Sequence, residues 1–212
     1  MSRIKAAAAF EASMWRSLFR LISRKGPFDV PPGASTFGHT KAVKPFLITF
    51  LALSVFEIPL FHFIIPWTIA RIVLLVISGY GLIWMFGLIG SMTLRPHVLD
   101  DTGLRIRNGM TLDITIPWSH VESVRARDRS TPPGGSIQSE DGILSLSAGG
   151  QTNVDVLLRE PRAFGLPRKK PVDPVTQVRF VADDGRALAA EAARRLASVA
   201  GRSGGRPLRA GA

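Results

Sequence analysis

The feature that most restricts this chain is a block from Phe46 to Gly90 in which only Glu57, His62 and Arg71 can carry a charge near neutral pH. It divides into two apolar runs. Phe46–Ile65 is 20 residues long, and Ile72–Gly90 is 19 residues with no charge. At ~1.5 Å rise per residue each helix reaches ~30 Å, the thickness of a bilayer's hydrocarbon core. Lys41 and Lys44 precede the first run, and Pro45 suits a helix start. Two fully apolar helices in tandem would need a larger protein core than the remaining residues can supply, so lipid is the expected solvent for both.

Pro66, Trp67 and Thr68 leave room only for a tight connection, so the expected structure is an antiparallel transmembrane hairpin. Residues 1–44 carry eight Lys/Arg against Glu11 and Asp29, a net of +6, and Arg95, Arg105 and Arg107 follow the second run. The opposite side has only the hairpin tip and Arg71. The positive-inside rule therefore predicts a multi-pass cell-membrane protein with both termini cytoplasmic. A cleaved signal peptide is not expected, because the apolar run starts late and has no small-residue cleavage pattern behind it. Trp67 fits an interfacial anchor at the tip.

The remaining charge excludes one class of function. The chain's net +11 sits mainly in residues 1–44 and in the tail 201–212, whereas residues 92–200 carry fifteen cations against thirteen anions. A nucleic-acid footprint needs its basic face on the folded domain, so no nucleic-acid partner is predicted. Cysteine is absent, which excludes disulfides, thiolate metal sites and cysteine nucleophiles.

On a helical wheel, Phe10, Met14, Trp15, Leu18, Phe19, Leu21 and Ile22 fall on one half of an N-terminal helix, with Arg16, Arg20 and Arg24 on the other. Two placements fit. The helix can lie flat on an anionic membrane, with Trp15 and Phe19 in the acyl boundary and the arginines on phosphate headgroups. It can also pack on the domain or on a partner protein. Pro27, Pro31, Pro32 and Gly33 then break it and form a linker.

Within the first apolar helix Glu57 is the costliest residue, since a carboxylate well inside the hydrocarbon needs a partner or a proton. Arg71 enters from the hairpin tip, and a Glu57–Arg71 pair locking the helices is the expected account. Glu57 and His62 are five residues apart, ~140° around a helix, and do not form a metal pair of the HExxH kind. Pro59 is expected to bend the helix. Ser78, Gly79, Gly81, Gly87 and Gly90 would allow a second helix to approach closely.

Past Met92 the periodicity changes from helix to strand. Apolar residues alternate in Leu104–Arg107 and Leu112–Ile116, with turn residues at Asp101-Thr102-Gly103 and Asn108-Gly109. Val121–Ala126, Ile143–Leu146, Val154–Leu158 and Val175–Val181 read as further strands, separated by a loop at 129–141 and a basic, Pro-rich stretch at 159–174. Asp183 or Asp184 can cap a final helix from Gly185 to Ala200. The expected fold class is an α+β membrane protein. It comprises a basic arm and linker (1–44), a transmembrane hairpin (45–91), a barrel or sandwich capped by a C-terminal helix (92–200) and a disordered basic tail (201–212).

The hairpin, Arg95-Pro96 at its exit, the DDTGLRIRNG segment, the ITIPW segment and the closing helix together resemble the bacterial PH-like membrane proteins, over roughly residues 46–200. The resemblance implies a pleckstrin-homology-like fold of two nearly orthogonal sheets and a capping helix. It implies no shared catalytic residues and no general lipid binding. Where related folds gather cations for phosphoinositides, Asp113, Glu122 and Asp128 interrupt the basic residues here.

No phosphate-binding, dinucleotide, zinc-protease or serine-hydrolase motif is present. His39, His62, His97 and His120 are scattered, Asp100-Asp101 reads as a turn, and Trp118 as a core anchor. The expected protein is therefore a membrane-anchored, non-enzymatic PH-like adaptor without cofactor or metal, binding a protein partner or itself at the cytoplasmic surface. Two alternatives stay open. One is an anionic-lipid sensor using Arg16, Arg20, Arg24 and the Arg168, Lys169, Lys170 cluster. The other is an accessory subunit of a transporter in which Glu57 works.

Overall fold

The computed structural model of this protein describes residues 3–41, 43–166 and 173–204. Two compact units divide the chain. The helical unit takes residues up to Asp29, Thr40–Pro96 and Asn108–Met110; the sheet unit takes Val30–His39, His97–Arg107 and the chain from Thr111 onward.

The helical unit holds α1 (Arg3–Ile22), α2 (Lys44–Ile64) and α3 (Thr68–Thr93). Pro45 sits at the start of α2, where a missing N–H costs nothing, and α2 runs through Pro59 as one helix. α2 and α3 are both long and apolar enough to cross a membrane. Leu47 is the single buried residue of α2 among the described residues, and Gly87, Gly90 and Ser91 are those of α3. The other faces expose large apolar side chains along their whole length, from Phe46, Phe50 and Phe56 to Phe63, Val76 and Ile83. The core helix of a soluble protein buries such side chains.

The sheet unit contains two sheets. The first has the order β1 (Ser35–Phe37), β2 (His97–Leu99), β3 (Gly103–Asn108), β4 (Leu112–Pro117). The second, built from β5 (Val121–Ser130), β6 (Ile137–Glu140), β7 (Ile143–Leu146), β8 (Gln151–Arg162) and β9 (Val175–Phe180), has the order β5-β8-β9-β7-β6. Its pairs are antiparallel except β7 with β9, which is parallel. The final helix α4 (Gly185–Gly204) packs on β5 and β8. Both sheets and α4 feed one cluster of buried side chains, including Ile106, Ile114 and Ile116, Val154, Val156 and Phe180, Leu188 and Ala192.

Local chemistry explains the element boundaries. β4 buries Leu112, Ile114 and Ile116 and exposes Asp113 and Thr115, the period-two pattern of a half-buried strand. Before β3, Asp100 Oδ1 accepts the Thr102 and Gly103 amides at 2.7 and 3.0 Å and the Thr102 hydroxyl at 2.6 Å. Burial opposes ionisation of Asp100, but these hydrogen bonds outweigh it and hold its carboxyl below the usual range. Gly103 is needed there because a Cβ would lie 2.4 Å from the Ile116 carbonyl oxygen. Trp118 is buried in the core and donates its indole N–H to the Asp100 carbonyl at 2.8 Å. Asp184 is the residue that caps α4, accepting the Ala187 amide at 2.9 Å.

Three expectations change. Residues 35–37 of the presumed linker form β1, paired with β2 in the register Thr36 to Val98. The presumed loop at 129–141 contains the end of β5 and all of β6. α4 continues to Gly204, into the segment read as tail.

Candidate functional site

In the helical unit, α1 lies along the second half of α3 and runs in the same direction. Phe10 stacks on Trp84 with ring centroids 6.2 Å apart. Further along, Met14 meets Gly87, and Ser17 and Leu21 meet Gly90. A Cβ on Gly87 would approach Met14 Cγ to 2.7 Å, so glycine and serine set this close packing. The small residues anticipated for helix approach thus act through Gly87 and Gly90 and against α1, whereas Gly79 and Gly81 have open space around them.

The packed stripe of α1 is not the one apolarity suggests. Met14 and Ser17 are fully buried, while Phe19 and Ile22 are 68% and 71% exposed. The predicted apolar half therefore splits: one edge meets α3, and the edge bearing Trp15, Phe19 and Ile22 remains uncovered. Because α1 follows α3, it does not lie across it.

The arginines expected at headgroups have varied roles. Arg16 is exposed. Arg20 instead donates to the Gly26 carbonyl at 2.7 Å and the Pro27 carbonyl at 3.2 Å, and its guanidinium lies 4.4 Å from the Phe28 ring centre. Arg24 ends α1 at φ +50°, with the Lys25 amide bonded to the Arg20 carbonyl and the Arg24 amide to Leu21, a Schellman closure. Arg168, Lys169 and Lys170 lie outside the described residues.

Arg95 organises the exit of α3. It donates to Ser13 Oγ and Ser17 Oγ, both at 2.9 Å, and its guanidinium lies 4.5 Å from the Phe28 ring centre. The Phe28 amide bonds the Leu94 carbonyl at 2.9 Å. Two arginines on one ring tie the chain leaving α1 to the chain leaving α3. Higher up, the Tyr80 hydroxyl donates to Glu11 Oε1 at 2.6 Å. Neither contact was anticipated from the sequence, because residues 69 to 82 positions apart carry no local signal.

The expected Glu57–Arg71 lock is not formed. No ion pair within 4.0 Å joins them among the described residues. Helix geometry gives the reason: Glu57 lies seven residues from the end of α2 and Arg71 three from the start of α3. Their levels therefore differ by ~6 Å along the hairpin.

In the sheet unit, His39 and His97 stack with ring centroids 4.9 Å apart, both nearly fully buried. His97 Nδ1 accepts the Arg107 amide at 3.1 Å and Nε2 faces the Val181 carbonyl at 2.8 Å, so the neutral ring with hydrogen on Nε2 satisfies both. Burial, with help from His39 and Arg107 and against the Val181 bond, lowers the His97 pKa to about 3. Burial also lowers that of His39, opposed by Asp183. Among the described residues, neither His39 ring nitrogen has a hydrogen-bond partner. Among the described residues no group of three His, Asp or Glu could hold a metal ion.

The cations of β3 are locally neutralised. Arg105 grips Asp113 through Nε at 2.7 Å and Nη2 at 2.6 Å, and Arg107 Nε is 3.6 Å from the same carboxylate. Across the second sheet, Arg129 Nε and Arg179 Nε approach Asp155 at 3.0 and 3.8 Å. No protein family, curated protein or solved structure with which the chain was compared matches it.

Proposed function

We propose that this protein is a non-enzymatic, membrane-anchored adaptor: the α2–α3 hairpin spans the bilayer, and the sheet unit, of pleckstrin-homology-like type, meets a protein partner at the cytoplasmic surface. The observation that carries the reading is the continuous apolar surface left uncovered on α2 and α3. An aqueous monomer does not tolerate a patch of that extent, whereas hydrocarbon solvates it. Two sheets followed by the closing α4 are compatible with the fold class that the sequence resemblance implies.

In this reading α1 accompanies α3 through the cytoplasmic leaflet. Tyr80 lies thirteen residues before the end of α3, ~20 Å along the helix, so the Tyr80–Glu11 hydrogen bond supplies a polar partner to an acid at bilayer depth. Arg95, Ser13 and Ser17 mark the level where the chain leaves the lipid. The lipid-sensor alternative loses support from Arg20, whose donors are spent on Gly26 and Pro27.

Extraction of native membranes tests the anchor. The chain is expected to stay in the pellet after alkaline carbonate and to enter solution with detergent; release by carbonate alone overturns it. A photo-crosslinker on the sheet unit, at Gln138 for example, tests the adaptor role. One discrete, saturable adduct with a protein is expected, and adducts to lipid alone would refute it.

A further inference from the structure

The outer face of the second sheet carries an arginine cluster that the fold neutralises only in part. Arg125, Asp155 and Arg179 are direct partners on three adjacent strands, β5, β8 and β9, so all three share one face. Their spacing is ~5 Å per strand. Arg129 reaches Asp155 Oδ2 at 3.0 Å from the same strand as Arg125. Arg127 lies in the β-bulge between them, together with the exposed Asp128. Two guanidiniums, those of Arg129 and Arg179, thus approach one in-sheet carboxylate, with Arg125 and Arg127 on the neighbouring strand.

The arginines lie close enough to influence one another electrostatically. Burial first, then the neighbouring Arg129 and Arg127, lower the Arg179 pKa, with Asp155 opposing them. Arg125 and Arg127 are exposed and make no ion pair or hydrogen bond among the described residues. Beside this row the register sets Ser123, Leu157, Gln177 and Ile143 on the same face, and Leu157 is 37% exposed. α4 packs from the core side, where Leu188 and Ala192 belong to the same buried cluster as the inward strand residues.

We propose that this face is the partner-docking surface of the adaptor and that it takes an acidic protein segment, whose carboxylates pair with Arg125 and Arg127 while an apolar residue covers Leu157. The proposal rests on the adaptor reading above and names its surface. Asp155 already shows the preferred chemistry, a carboxylate between guanidiniums. A second copy of this chain is a poor occupant, because the face is cationic and would meet itself. A bilayer is a poor occupant as well. Arg129 and Arg179 pair with Asp155, with side chains only 28% and 21% exposed, which leaves only Arg125 and Arg127 exposed to a headgroup layer.

The test uses the full chain in nanodiscs of zwitterionic lipid and, as probe, a fluorescent peptide alternating Glu with Leu. Fluorescence anisotropy should show binding that weakens as salt rises. Arg125→Glu with Arg127→Glu should weaken it by about tenfold or more, with an unchanged melting curve. Arg125→Lys with Arg127→Lys should retain part of it, which guards against a folding artefact. Arg186→Glu, an exposed position on α4, should leave binding unchanged. Absence of binding, or equal loss with Arg186→Glu, overturns the proposal. So does preferential binding of phosphatidylglycerol vesicles that the double reversal abolishes. Carbonate extraction of the same variants reports separately on the anchor.

Discussion

His97 should make the sheet unit acid-sensitive in a calculable way. The unfolded chain can protonate this ring near its ordinary pKa of 6.5, the folded one only near about 3. The unfolded state therefore takes up the proton first, and stability falls as pH drops through that interval. Each pH unit below 6.5 costs about 1.4 kcal/mol until the folded pKa is reached. From pH 7.5 to 5 the loss is about 2 kcal/mol, and by pH 4 about 3. The groups facing the ring are His39, the Arg107 backbone and guanidinium, and the Val181 carbonyl. His39, also shifted downward, adds to the slope in the same direction. The assay is hydrogen exchange of the Arg107 amide, which His97 Nδ1 accepts, in the detergent-solubilised full chain between pH 7.5 and 4 after correction for intrinsic exchange. His97→Gln keeps an acceptor and a donor but cannot titrate, and should remove more than half of the pH dependence. A wild-type amide equally protected at pH 7.5 and 5, or a His97→Gln variant with the full slope, would refute the reasoning.

Three further changes probe the packing. Gly87→Leu places carbon where Met14 Cγ lies 2.7 Å from even a first methyl; it should cost about 1–3 kcal/mol and speed exchange across Phe10–Leu21. Gly103→Ala drives a methyl toward the Ile116 carbonyl and should lower the melting temperature of the sheet unit, at a cost of about 1–3 kcal/mol. Arg24→Gly relieves a left-handed residue at the Schellman closure and should slow fraying of α1 by about 1 kcal/mol; faster exchange at Leu21 and Ile22 would contradict it.

What the sequence made legible follows from the range of each interaction. Apolar run length alone located α2 and α3, and period-two alternation located β3 and β4. Local turn chemistry placed Gly103 and Gly109 and narrowed the α4 cap to Asp183 or Asp184, of which the structure uses Asp184. Three-residue β1 escaped because its pairing partner, Val98, is 62 positions away, and Pro and Gly around it read as linker. The seating of α1 was misjudged because its contact stripe uses serine beside methionine: close approach to Gly87 and Gly90 selects small side chains, which an apolar count ignores. The Glu57–Arg71 pair expected from the sequence is not made among the described residues. The arginine face and the His39–His97 stack depend on strand register and on contacts between distant segments, neither of which leaves a local pattern.

Because the chain has no cysteine, single introduced cysteines report topology without background. The decisive measurement is labelling by a membrane-impermeant maleimide in intact cells and in inverted vesicles, with cysteines at Thr68, Val76 and Ser139. The account predicts that Thr68→Cys labels from outside, Ser139→Cys only from the cytoplasmic side, and Val76→Cys from neither until detergent is added. Labelling of Val76→Cys from water, or of Ser139→Cys from outside, would contradict it.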